Sequence, residues 1–365
     1  MTVLQRKELE DSPLADLHAI ASELGLEGFR TLRRADLISA ILEAQGGEEE
    51  PAAGSGRLAE DDTAQRVPAE EALEPAAEPE PRPEPEEPEA RVTGVLDILP
   101  NGSGFVRVDP SGQSRDDVYV SQAQIRRCEL RAGDEVTGPA RPPRRNERHP
   151  SLVRVESVNG ADAEPPEVRP HFAELTPVFP SERLSAPAAL EPVPFGKGSR
   201  VAIAGPPGAG ATRLLREIAA LLGERHQEIE VAVALAGVRP EEVGEWRTRS
   251  PGPVYGGSFD RSPESQAQAA ELAVECAKRT VERGGHAALV VDRLESLPPG
   301  AARRVFGAAR SLEEGGSLTV VAATGVSWEP QRWATTRVSL EAPGDDGQPK
   351  LSATGSATLR AELLG

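Results

Sequence analysis

Apolar and polar positions change rhythm along this chain, and each rhythm predicts a different kind of element. At the N-terminus the period is helical. Leu14, Leu17, Ile20, Ala21 and Leu24 share one face and Leu37, Ile38, Ile41 and Leu42 a second, with Gly25 and Gly28 between them. Residues 1–45 are therefore expected to form a small helical module, a type that more often packs or meets a partner than binds nucleic acid. From Arg91 short β-branched runs take over, at residues 92–99, 104–108, 117–120, 135–137 and 152–158, separated by Gly, Pro, Asn and Asp. Five such strands within residues 91–160 predict a small β-barrel of the oligonucleotide-binding (OB) kind. From about His171 onward, apolar runs at 201–204, 231–235, 287–292 and 318–323 alternate with helical patterns near 212–223, 264–283 and 300–314. Runs of that kind are strands buried on both faces, and the alternation predicts a doubly wound α/β domain over residues 171–365.

Charge changes this picture in one place. The net charge is −18, and residues 46–90 alone carry fifteen acidic residues against three arginines. That stretch is rich in Pro, Glu and Ala and nearly without large apolar side chains, so it cannot bury enough surface to offset the entropy of ordering. A disordered acidic linker, extended by self-repulsion, is expected there. Residues 91–160 carry eleven Lys and Arg against nine Asp and Glu, a locally basic segment inside an acidic protein. No apolar run approaches the roughly 18 residues of a membrane span and no basic-then-apolar leader opens the chain, so a cytoplasmic location without a membrane partner is expected. Cys128 and Cys276 stand alone in separate domains and read as buried small side chains rather than a disulfide or redox pair. The five histidines lack metal-ligand spacing, which argues against a metal site built from protein side chains alone.

Two stretches carry candidate chemistry. The first is Gly205-Pro206-Pro207-Gly208-Ala209-Gly210-Ala211-Thr212, set between a predicted strand and a predicted helix that opens at Arg213. It follows the phosphate-loop pattern G-x-x-x-x-G-K-[ST], whose glycines let backbone N–H groups curl around phosphate, whose lysine reaches the terminal phosphates and whose hydroxyl holds Mg²⁺. Here Ala211 stands at the lysine position. Asp292 ends a later apolar run, where a strand-end aspartate would hold Mg²⁺ together with Thr212; such an aspartate is also often a simple turn residue. The second stretch lies in the barrel. Phe105 and Arg107 share one predicted strand, Tyr119 lies on the next, and Arg141, Arg144 and Arg145 follow in a loop. These aromatics could stack bases while the arginines hold phosphates, or they could be core and solvated face; composition favours neither.

Longer segments carry a resemblance. Gly196-Lys-Gly-Ser-Arg200, the phosphate loop, Val238-Arg-Pro-Glu-Glu-Val243, residues 308–321 and Phe172-Ala-Glu-Leu-Thr-Pro-Val-Phe-Pro-Ser-Glu-Arg183 resemble the ATPase domain of bacterial transcription termination factor Rho. Gly104-Phe105-Val-Arg107, Asp116-Asp-Val-Tyr119-Val-Ser and Gln124-Ile-Arg-Arg127 are similar to that family's cold-shock-type primary RNA site, and the helical N-terminus to its small N-terminal domain. The likeness covers, in order, nearly everything outside the acidic linker.

The resemblance implies a RecA-like α/β domain, ATP and Mg²⁺ binding, RNA-dependent ATPase or helicase activity, single-stranded RNA as ligand, RNA polymerase as partner and a homo-hexamer. It places Phe105, Arg107, Asp117, Tyr119, Glu147 and Arg148 on RNA-contacting positions, with Ser103 and His149 where the family has further aromatics. It also sets out losses. Ala211 and Gly208 replace lysines, Val238 replaces the glutamate that activates water, and Leu359 replaces the arginine finger, with Arg360 beside it as a substitute. The long RNA-contacting loop after Asp292 is missing, and the second channel loop is unrecognisable in Gly325-Val-Ser-Trp328-Glu-Pro330. Removing a catalytic base costs roughly 10²–10⁴ in rate and an arginine finger adds about 10³–10⁵, so useful hydrolysis is not expected. The expectation is an RNA-binding paralogue, impaired in ATP hydrolysis, that acts in or on Rho-type assemblies, including hetero-assemblies with intact Rho. The alternative is an active enzyme with displaced residues, using Arg213 or Lys197 for phosphate charge and Arg360 as finger.

Overall fold

The computed structural model describes residues 90–327, 329–343 and 348–365, together with residues 17, 20, 21, 37, 38, 40 and 41. The chain divides into two compact units, Met1–Glu80 and Pro81–Gly365. In the first, Leu17, Ala21, Leu37, Ile38 and Ile41 are buried in one cluster with Ile20 packed on it, so the two amphipathic faces meet. Leu14, Leu24, Leu42, Gly25, Gly28 and the linker residues 46–89 lie outside the described residues.

The second unit opens with the barrel. Its strands are β1 (Ala90–Ile98), β2 (Gly104–Arg107), β3 (Val118–Val120), β4 (Glu135–Arg141) and β5 (Ser151–Leu152). They pair in the order β1-β2-β3-β5-β4, and β4 returns to β1, so the sheet closes on itself. One nine-residue strand does double duty here: residues 90–95 of β1 pair with β4 and residues 95–98 with β2. Gly94 lies at this crossing, where a Cβ would come within 2.4 Å of the Arg107 carbonyl oxygen. Leu96, Val106, Val118, Val120, Val136 and Leu152 fill the interior, and Ile125 of helix α1 (Gln122–Arg127) closes one end. Ser121 and Gln124 cap α1 reciprocally, and the Gln124 amide also donates to the Leu152 carbonyl at 3.0 Å. The strand expected over 152–158 is instead divided, with β6 (Ser157–Val158) and β7 (Ala161–Asp162) forming a hairpin through Asn159 and Gly160, both at positive φ.

The α/β domain adds β8 (Pro177–Val178), β9 (Arg200–Ala204), α2 (Ala211–Arg225), β10 (Ile229–Val238), α3 (Pro240–Arg249) and β11 (Val254–Ser258). It continues with α4 (Pro263–Glu282), β12 (His286–Asp292), α5 (Pro299–Gly307), β13 (Arg310–Leu312), β14 (Ser317–Thr324), β15 (Thr336–Ser339) and β16 (Ala357–Thr358). The sheet order is β11-β10-β12-β14-β9-β15-β16, parallel throughout except for β16, with β13 and β8 added antiparallel beside β14. Alternate residues feed two cores. Val231, Val233 and Leu235 join Leu214, Leu215, Ile218 and Trp246 on the side of α2 and α3, while Ala234 and Ala236 join Ala269, Ala273 and Phe306 on the side of α4 and α5. The helix expected over 300–314 ends at Gly307, because residues 310–312 find strand partners in β14 and β8. Helix α3 and strand β11 fall in a stretch where no element was expected. Cys128 is buried in the barrel core and Cys276 is half-buried in α4; burial raises both thiols, Cys276 up to about 11, so neither is a ready thiolate. Among the described residues no helix is long and apolar enough to cross a membrane.

Barrel and α/β domain are joined by polar contacts. The Arg131 guanidinium donates to the buried Glu282 carboxylate of α4 at 3.1 Å, and the Phe172 N–H donates to the same carboxylate at 2.9 Å. Residues 161–170, which fall between the two expected domains, pack on the barrel through Ala163 and Arg169. Arg169 donates to both oxygens of Asp134, which also accepts the Arg131 N–H and the Asn159 amide. Burial by itself would raise the Asp134 carboxyl, but these hydrogen bonds and the Arg169 charge outweigh it and hold the acid below its ordinary range. A carboxyl depressed on folding adds stability above its unfolded value near 3.9, and that stability is lost as pH falls through the folded value. Asp134→Asn is therefore expected to lower stability by about 3 kcal/mol at neutral pH, with the gap to the wild type closing in acid; denaturant melts at a series of pH values measure it.

Candidate functional site

The barrel site follows from the pleat. Leu96 and Val106 point inward, so their neighbours Asp97, Phe105 and Arg107 face out. Phe105 sits directly across from Tyr119 on β3, which in turn lies beside Ser151. The Phe105 and Tyr119 rings meet edge to face at 5.8 Å, and the His149 ring meets Phe105 at 5.0 Å. Three rings thus form one platform, with His149 supplying a ring at one of the two positions where a family aromatic was expected. The other position carries no ring: Ser103 is buried, with its hydroxyl on Asn101. The platform lines a cleft of about 720 Å³ that also includes Gln124, Arg141, Glu147 and Arg148.

Charge at the cleft is arranged in pairs. Arg141 grips Glu147 through two hydrogen bonds of 2.7 and 2.8 Å, and the Arg144 N–H adds a third. The Arg141 and Arg144 contacts hold the Glu147 carboxyl down at about 2, so it is an acceptor across the working pH range. Arg148 is exposed beside it.

Arg107 and Asp117 are placed differently from the expectation that they touch RNA. Both are buried. The Arg107 guanidinium donates to Asp97 at 2.6 and 3.1 Å and to Asp117 at 2.5 Å, and its carbon lies 5.3 Å from the Phe105 ring centroid. Gln268 of α4 donates to the same Asp97 oxygen at 2.7 Å. The Phe105 end of β2 therefore stays open while the Arg107 end is covered by the α/β domain, and Arg107 and Asp117 position the platform from behind. Asp97 and Gln268 were not singled out in the sequence; a carboxylate between Leu96 and Ile98 in an apolar strand was the available signal.

The phosphate loop runs from the end of β9 to the start of α2. Gly208 and Gly210 adopt φ of +85° and +92°, a conformation that glycine alone takes without strain. The first helical bond runs from the Leu214 N–H to the Gly210 carbonyl at 2.9 Å, so the N–H groups of Ala211, Thr212 and Arg213 have no partner within the helix and are available to an anion. The Thr212 hydroxyl donates to Asp292 at 3.1 Å, which brings together the two residues proposed for Mg²⁺. The other Asp292 oxygen accepts from the indole of Trp246 at 3.2 Å, and burial raises this carboxyl although both hydrogen bonds oppose it. Trp246 is the site residue that sequence reasoning missed; it lies in α3, which was not foreseen. Backbone donors and the Thr212–Asp292 pair fit a phosphate and its cation, whereas the loop itself supplies no cationic side chain. Leu340 and Pro349 lie against Gly205 and Gly210, 2.8 and 2.9 Å from where a Cβ would be, so the segment after β15 packs alongside the loop.

The candidate replacements do not converge on it. The Lys197 ammonium pairs with Glu182 at 2.8 Å and Glu228 at 3.4 Å ahead of β9, at the opposite end of that strand from the loop, which corrects its assignment as a phosphate ligand. Arg213 pairs with Glu217 one turn along its own helix. Val238 is wholly buried in the apolar core on the α2 side. Leu359 is exposed, and Arg360 is held by Glu362 at 2.5 Å and lies over the Phe179 ring. Trp328 lies outside the described residues. Leaving two buried carboxylates without their guanidinium is expensive, so Arg107→Gln is expected to destabilise the protein by about 3–5 kcal/mol, whereas the half-exposed Tyr119→Ala should cost about 1 kcal/mol or less. Thermal melts of the two variants separate a positioning residue from a contact residue.

Comparison with known proteins gives these sites a common context. A family model for the Rho termination factor RNA-binding domain matches residues 92–164, and one for the Rho termination factor N-terminal domain matches residues 8–50. Transcription termination factor Rho of Aquifex aeolicus is 35% identical over 357 residues, covering 88% of this chain and 73% of the relative. The Bacillus subtilis Rho is 39% identical over 261 residues, covering 63% of this chain and 61% of the relative. The Pseudomonas fluorescens Rho is 32% identical over 351 residues, covering 86% and 75%. A solved structure described as "Structural and biochemical analysis of a prototypical ATPase from the type III secretion system of pathogenic bacteria" superposes with a TM-score of 0.44 at 17% identity, covering 59% of this chain and 74% of its own. With two domain models matched in order and a relative 35% identical over nearly three quarters of that relative's length, the chain belongs to the transcription termination factor Rho family.

Proposed function

We propose that this protein binds single-stranded nascent RNA through its barrel and acts in transcription termination as a family member impaired in ATP hydrolysis. The observation that carries the RNA reading is the platform of Phe105, Tyr119 and His149, open to solvent beside Arg141, Glu147 and Arg148. Bases stack on such rings regardless of sequence, and Glu147 can accept from an exocyclic amine at the cleft edge. Arg107 and Asp117 act from behind the platform.

The impairment is supported by four positions. The loop has Ala211 and Gly208 where positive charge is needed, Val238 is in the core, and Arg360 is engaged with its own domain. ATP with Mg²⁺ would be held by the backbone N–H groups of Gly208 and residues 210–213, by Thr212 and by Asp292, and each missing charge-assisted bond weakens that binding by about 1.5–3 kcal/mol. The α/β domain then serves as an assembly surface, in a homo-hexamer or in a hetero-assembly with intact Rho subunits that engage RNA polymerase, in the cytoplasm.

Binding of a fluorescent pyrimidine-rich RNA to the full chain tests this. Salt-sensitive binding is expected, weakened about 5- to 150-fold by Tyr119→Ala. Absence of binding, or equal affinity in the variant, would rule the barrel out as the RNA site.

A further inference from the structure

The positive charge that the phosphate loop lacks has a source at the end of β12. Asp292 is bonded to the loop through Thr212, and the next residue, Arg293, turns the chain out of the strand with φ of +62° and ψ of +51°. That left-handed conformation is unfavourable for a side chain as large as arginine, and such strain persists where the surrounding structure enforces it, often at ligand sites. Glycine would adopt it freely.

The turn that Arg293 opens is fixed on two sides. Leu235 of β10 pairs opposite Asp292, and the Ser296 Cβ lies 3.5 Å from where a Cβ of Gly237 would be. Residues 293–296 therefore border both the phosphate loop and the end of β10 that carries Val238. In phosphate-loop sites the terminal phosphates and their cation are held beside the loop hydroxyl and the strand-end aspartate, which is this place.

Within the chain the Arg293 guanidinium is left unengaged. Its Nε is covered and has no hydrogen-bond partner, and the side chain makes no ion pair among the described residues. Two carboxyls nevertheless feel its charge. Burial raises both Asp292 and Glu295, and Arg293 opposes the rise in each without pairing with either. A guanidinium is a planar fork of donors matched to phosphate oxygens, and here the fork is unused.

We propose that Arg293 stands in for the missing loop lysine and binds the terminal phosphate of a nucleoside triphosphate held on the phosphate loop. This inference rests on the reading of that loop as a nucleotide site, and the test separates the two. Its consequence is retention of ATP without turnover, because Val238 still supplies no base.

Affinities of the full chain are measured for N-methylanthraniloyl derivatives of ATP, ADP and AMP in the presence of Mg²⁺. Arg293→Gln is expected to weaken ATP about 10- to 150-fold, the equivalent of one charge-assisted hydrogen bond, and to leave AMP unchanged. Arg293→Gly separates binding from folding: glycine relieves the left-handed backbone, so this variant should melt no lower than the wild type and still lose ATP to the same extent. Ala211→Lys returns a cation to the loop and should restore ATP affinity in the Arg293→Gln background, a rescue that a merely structural arginine would not show. Unchanged ATP affinity in both Arg293 variants, with Thr212→Ala still weakening it, would overturn the role of Arg293 and leave the nucleotide site standing. Equal losses for ATP and AMP, or no recovery with Ala211→Lys, would assign Arg293 to holding the strand end in place and also overturn the proposal. Absence of ATP binding in the wild type would overturn both readings.

Discussion

One buried guanidinium ties this structure together. Arg107 lies between the carboxylates of Asp97 and Asp117, on adjacent strands of a closed barrel, and Asp97 in turn accepts from Gln268 of the α/β domain. Three features depend on it. The β1–β2–β3 edge of the barrel is held by charge as well as by ladder bonds, the Phe105 ring rests near the guanidinium, and helix α4 is docked to the outside of β2. Burying three charges is affordable only when every partner is present, so the contact fixes one arrangement of barrel and α/β domain rather than simply adding strength.

The α/β domain shows how a fold can outlast its chemistry. Its stability comes from strands feeding two cores and from glycines at the strand-to-helix turn, none of which requires the lysine at position 211 or a glutamate at 238. Once position 238 carries valine, the side chain gains burial in the core on the α2 side. Asp292 remains, buried, with one oxygen accepting from the Thr212 hydroxyl and the other from the Trp246 indole, so its place is kept by hydrogen bonding and packing alone. Geometry kept by packing and charge lost by substitution are thus independent events.

Most of the architecture was legible because burial imposes periodicity. The four principal parallel strands and the helices α2 and α4 follow directly from apolar runs and helical spacing, and Phe105 and Tyr119 fall opposite one another because their strands are sequential. What failed has a physical reason in each case. Residues 308–312 have helical apolar spacing, but β14 and β8 offer them backbone partners. Helix α3 is mostly polar and β11 is Gly-rich, so neither has a strong pattern. Arg107 and Asp117 read as surface residues because their cover, α4, is some 150 residues away in sequence. Lys197 was near the loop in sequence and is far from it in space, since a strand lies between.

The central claim is that the nucleotide fold persists without its motor, and RNA-stimulated phosphate release by the purified full chain tests it most directly. With ATP, Mg²⁺ and pyrimidine-rich RNA, the account predicts turnover no greater than that of a Thr212→Ala, Asp292→Ala double variant prepared identically. RNA-dependent phosphate release in the wild type that disappears in the double variant would contradict it.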